Sequence, residues 1–181
     1  MRRVLLLCLS LGCVPHPQSV REARAHFPRE SLKGSVILPA APSALLPVRA
    51  VFDDRVELLG LSLSPEHPRA GDAVEVRYYF GVRRPIFDDF EVFVHGDASG
   101  GPSRRIFGDH WPARGTYPTG MWQVGEVIED HFSLSIPGDY AGARLRVYSG
   151  LYRDDFRLPL TEAGAAPSDR ENRSLVLDLS L

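Results

Sequence analysis

The stretch Ala73-Val74-Glu75-Val76-Arg77-Tyr78-Tyr79-Phe80 decides the fold class. Val74, Val76, Tyr78 and Phe80 fall on every second position, with Glu75 and Arg77 between them. Alternation of this kind belongs to a strand with one face in a core and the other in water. Gly71-Asp72 supplies the turn before it.

Outward from this strand the alternation repeats. Phe90, Val92 and Val94 alternate with Glu91, Phe93 and His95, so both faces are partly apolar and the strand is expected to be central. Ile128, Asp130, Phe132, Leu134 and Ile136 share a face opposite Glu129, His131 and Ser133, and Pro137-Gly138 stops this third strand. Ala143, Leu145, Val147 and Leu151 mark a fourth, and Leu175, Leu177, Leu179 and Leu181 a fifth. Between Arg55 and Ser64 the apolar side switches from Leu58 to Leu59, as at a bulge or where a strand passes from one sheet to another. Residues Gly96 to Gly125 hold few apolar pairs and read as a loop, or a loop with a short hairpin. No long segment carries a helical period. The expected fold is all-β: an immunoglobulin-like antiparallel β-sandwich of about seven to nine strands over residues 50–181. A domain of this size buries enough apolar surface to stand without a disulfide.

The chain carries 21 basic and 23 acidic side chains among 181 residues, a formal net charge of -2. That balance lacks the basic footprint of a nucleic-acid binder. Ahead of the sandwich, Arg2 and Arg3 followed by the apolar run Val4 to Leu11 have the grammar of an export signal, too short to span a bilayer. The run ends Ser10-Leu11-Gly12-Cys13, similar to a lipobox, so residues 1–12 are expected to be a lipoprotein signal peptide and Cys13 the acylated N-terminus, carrying palmitate-type chains. Cys8 and Cys13 are the only cysteines. With Val14 after Cys13 in place of an acid, the outer membrane is the expected site in bacteria that retain lipoproteins by an aspartate there. Residues 13–49, with prolines at 15, 17, 28, 39, 42 and 47, read as a tether in which Val20 to Phe27 can form a turn or two of helix and Ser35 to Leu38 a short edge strand.

The ordered set Val92-Phe93-Val94-His95, Gly108-Asp109-His110, Gly115-Thr116-Tyr117-Pro118-Thr119, Trp122, Gly125-Glu126-Val127, Asp130, Ile136-Pro137 and Gly150-Leu151-Tyr152 resembles the β-sandwich domain at the C-terminal end of bacterial membrane glycosyltransferases of the dolichyl-phosphate-mannose mannosyltransferase type. The resemblance spans Val51 to Leu160. It implies an extracytoplasmic, non-catalytic module, because the catalytic residues of those enzymes lie in a membrane portion with no counterpart here.

Within this set Asp130 stands on an apolar face, where a carboxylate needs partners: backbone amides, Trp122, Arg144 or Arg146. It is expected to brace the preceding loop, the other reading being a ligand-binding acid. His95, Asp109, His110, Asp130 and His131 lack the spacing of a metal motif, and His131 should point away from Asp130; no metal or other cofactor is expected. Asp88-Asp89 and Asp154-Asp155 read as turn residues. Trp111, Tyr117 and Trp122, with Pro112 and Pro118, form an aromatic loop that either stacks on sugar rings or packs Tyr117 and Trp122 onto the sandwich and leaves Trp111 exposed. The expected function is a non-catalytic, lipid-anchored cell-envelope module binding a glycan or an envelope protein, near polysaccharide or glycosylation machinery. The alternative is an envelope hydrolase using His95, Asp109, His110 and Asp130.

Overall fold

The computed structural model describes residues 20–99, 105–164 and 171–181. The expected signal peptide, residues 1–12, and Cys13 lie outside the described residues.

Two antiparallel sheets pack face to face. The first holds β1 (Ile37–Leu38), β2 (Leu46–Phe52), β3 (Val56–Ser64), β4 (Ala73–Val82), β7 (Val127–Ser135) and β10 (Leu160–Glu162), in the order β1-β7-β4-β3-β2-β10. The second holds β5 (Glu91–Ser99), β6 (Ile106–Phe107), β8 (Arg144–Arg153), β9 (Phe156–Arg157) and β11 (Ser174–Ser180), in the order β11-β8-β5-β6, with β9 folded back on β8. The strands number more than the seven to nine expected, because β1, β6, β9 and β10 have two or three residues each. Such lengths are too short to carry a period.

The alternation in β4 holds: Val74, Val76, Tyr78 and Phe80 enter the core between the sheets, against Ile128, Phe132 and Leu134 of β7. The switch in β3 is a bulge. Its register against β4 shifts between Leu58 and Gly60, which puts Leu58 and Leu61 fully inside. β5 is central in its sheet, between β8 and β6. Val92 and Val94 belong to the core while Phe93 and His95, on the opposite face, are buried as well. The leucine alternation expected in β11 is broken. A register shift between Leu175 and Leu177 buries Val176 and Leu177 together.

The sandwich reaches further toward the N-terminus than residue 50. β2 begins at Leu46 and β1 pairs with β7, Ile37 opposite Ile128. Ahead of them, helix α1 (Val20–His26) and a 3₁₀ turn at Arg29–Leu32 pack on the loop after β6. Arg24 donates to the carbonyls of Ile86 (2.7 Å), Trp122 (2.5 Å) and Gly120. Arg29 donates to Met121 O at 2.6 Å, and Phe27 stacks on Tyr117 with ring centroids 5.3 Å apart. Short 3₁₀ turns leave carbonyls without a partner in their own backbone, and a guanidinium with five donors meets several at once. Residues 20–38, read from the sequence as part of a tether, therefore pack on the sandwich, and residues 46–49 of the same stretch begin β2. Among the described residues no helix is long and apolar enough to cross a membrane.

Candidate functional site

The loop from Gly108 to Glu126 is held by two polar braces. In the first, Asp130 stands fully buried on β7, as its place beside Ile128 and Phe132 requires. One carboxylate oxygen accepts the backbone N–H of Ala113 at 2.9 Å, and the other lies 2.8 Å from His110 Nε2. The second ring nitrogen, Nδ1, lies 2.6 Å from the Gly108 carbonyl. Both nitrogens thus face acceptors only, a setting satisfied by the imidazolium. Burial opposes that charge, but the hydrogen bond and charge of Asp130, helped by the Gly108 carbonyl, outweigh it and hold the His110 pKa above its ordinary value. The His110 ring stacks on Phe132 at 4.3 Å. Of the partners expected for Asp130 the backbone amide is right; Trp122 and the two arginines are not. Arg144 and Arg146 pair with Asp178 on β11, and the indole N–H donates to Tyr117 O at 2.9 Å.

The second brace joins Tyr117, Trp122 and Glu126. Tyr117 and Trp122 are fully buried at the end of the sandwich. The Tyr117 hydroxyl donates to Glu126 Oε2 at 2.6 Å, which also accepts the Gln123 N–H at 2.7 Å. Burial first, and then the Glu126 charge, push the tyrosine pKa up, so the hydroxyl stays a donor. Trp111 alone of the loop aromatics is exposed, at 46%. It borders a hollow of about 430 Å³ with Arg114 and His131, and His131 turns away from Asp130 to Glu75.

A larger cavity lies elsewhere, on the outer face of the second sheet. It measures about 630 Å³, within the range of small-ligand sites. Phe93 and His95 of β5 and Tyr152 of β8 are among the residues that line it. Asp109 closes one wall, and Asp154, Asp155, Phe156 and Arg157 of the β8–β9 hairpin another, beside Asn172. Asp109 is fixed by the Val94 N–H at 2.9 Å and lies 3.4 Å from His95 Nε2. The His95 ring sits between Phe93 and Phe107, both 5.2 Å away. Arg157 covers Phe93 at 4.9 Å, and Phe156 stands 52% exposed at the rim. Tyr152 has its pKa pushed up to about 12, by burial and then by Glu91 and Asp109, and keeps its proton.

The candidate residues therefore separate into three places. His95 and Asp109 meet in the cleft; His110 and Asp130 form a loop brace; Tyr117, Trp122 and Glu126 form another. Among the described residues no three histidine, cysteine or acidic side chains converge as metal ligands. Sequence reasoning missed Phe156, Arg157 and Asn172 in the cleft wall. Asp154-Asp155 is indeed a turn, with Asp154 at φ 53°, but that turn carries the wall of the cleft. An aspartate pair beside a phenylalanine was the available signal. Comparison with family models, with curated protein sequences and with solved structures gives no match. The functional reading rests on the chain's own residues.

Proposed function

We propose that the chain is a non-catalytic, lipid-anchored module of the bacterial cell envelope, which binds a glycan in the cleft over β5 and β8. The cleft carries this reading: it combines ring faces at Tyr152 and Phe156 with polar groups at Asp109, Asp154, Asp155 and Asn172 on a rigid sheet. The resemblance to an extracytoplasmic glycosyltransferase domain and the lipobox-like stretch Ser10-Leu11-Gly12-Cys13 point to the same compartment. Hydrolysis is disfavoured by the division of its candidate residues. Asp130 has no exposure and is committed to His110 and Ala113, which leaves His95 and Asp109 without it. Ser149 of β8 is buried and donates to Phe93 O at 2.8 Å.

Calorimetric titration with envelope polysaccharide fragments tests the reading. Phe156→Ala should weaken binding about tenfold, as expected for loss of one stacking ring, while Trp111→Ala should leave it unchanged. Binding that follows Trp111 and ignores Phe156 would move the site to the loop, and absence of any glycan binding would overturn the proposal. For the anchor, Cys13→Ser should transfer the protein from the membrane to the soluble fraction.

A further inference from the structure

We infer that the cleft selects sugars bearing a free amine, a cationic hexosamine-type unit, over neutral or acidic ones; this rests on the glycan reading of the same cleft. Asp154 and Asp155 line it, and among the described residues neither carboxylate has a hydrogen-bond or ion-pair partner. Arg157, the cation in the wall, is paired with the Glu171 carboxylate at 3.6 Å. Its guanidinium lies over Phe93 at 4.9 Å and bonds the Glu171 carbonyl at 3.0 Å.

His95 is the independent observation. It is 9% exposed, lines the cleft, and its Nδ1 finds no hydrogen-bond partner. Its Nε2 lies 3.4 Å from the Asp109 carboxylate, so Nδ1 is the ring nitrogen left without a partner. A buried polar atom without a partner costs free energy that a ligand group hydrogen-bonded to it would recover. The two free acids at this cleft are acceptors and carry negative charge. An ammonium supplies three donors and the opposite charge. The ring of Tyr152, 6.2 Å from that of Phe93 on the cleft floor, suits the flat C–H face of a sugar ring. A peptide amine fits less well, because β5 and β8 have both edges paired and offer no free strand beside the cleft.

Calorimetry on the full chain uses four probes: a glucosamine tetramer, its N-acetylated counterpart, a uronic-acid tetramer and tetralysine. The glucosamine tetramer is expected to bind about tenfold more tightly than the N-acetylated one and to weaken with added salt. Asp154→Asn with Asp155→Asn should abolish that preference at unchanged melting temperature, since asparagine also tolerates the left-handed backbone at position 154; Asp155→Asn alone should halve it or more. Equal or tighter binding of the N-acetylated or uronic-acid tetramer overturns the charge selection and leaves glycan binding standing. Tighter binding of tetralysine overturns the sugar. Binding of no sugar overturns both readings.

Discussion

At the scale of single residues, Asp130 and His110 decide how the long loop is held. A carboxylate with no exposure, bonded to an imidazolium and a backbone amide, loses more when one partner goes than the pair contributes net, because the other is left buried and unmatched. Asp130→Ala should therefore destabilise the protein by about 3–5 kcal/mol and lower the melting temperature by about 10 °C. An unchanged melting curve would remove the brace. The raised His110 pKa makes stability pH-dependent in a defined direction. The folded protein holds the proton where the unfolded chain has released it, so the contribution is complete below the ordinary value of 6.5 and is lost as pH rises above it through the folded value. Chemical denaturation should show a midpoint falling over that window, and the fall should vanish in His110→Gln. The need of Asp130 for a partner was legible, since period two put it among apolar neighbours. Which partner was not, because His110 is twenty residues away along a loop with no period.

At the scale of elements, the bulge in β3 and the N-terminal flank carry the predictions. A Cβ added at Gly60 would stand 2.6 Å from the Leu46 carbonyl oxygen, so β2 would have to move away from β3. Gly60→Ala should cost about 1–3 kcal/mol, the usual cost of overpacking, read as a lower denaturant midpoint at unchanged slope. The switch of apolar side at Leu58 and Leu59 announced a bulge or a change of sheet, and the register shift against β4 decides for the bulge. The docking of α1 left no comparable trace. Arg24 and Arg29 look like any surface arginines until the 3₁₀ turns expose the carbonyls they reach. Replacing both by alanine should lower the melting temperature by about 5 °C or more, as loss of several charge-assisted hydrogen bonds requires. A freely moving tether would predict no change.

At the scale of the molecule, the cleft exists because separate parts of the chain converge on the outer face of one sheet: β5 and β8 make the floor, Asp109 and the β8–β9 hairpin the walls. Both sheets share one core, and the N-terminal flank packs against it through Phe27, Leu32 and Val36. Calorimetric unfolding should accordingly show one transition; a separate early transition that disappears with the flank deleted would make it an independent unit. The amino-acid sequence by itself determined the all-β class, the positions of the longer strands β3, β4, β5, β7, β8 and β11, the switch of side in β3 and the burial of Asp130, since each follows from which neighbours a period of two places together. Tertiary structure alone decided the partners of Asp130, the packing of residues 20–38 and the existence of the cleft. Those depend on contacts between residues far apart in the chain, and hydrophobic alternation along one strand holds no information about what crosses its outer face.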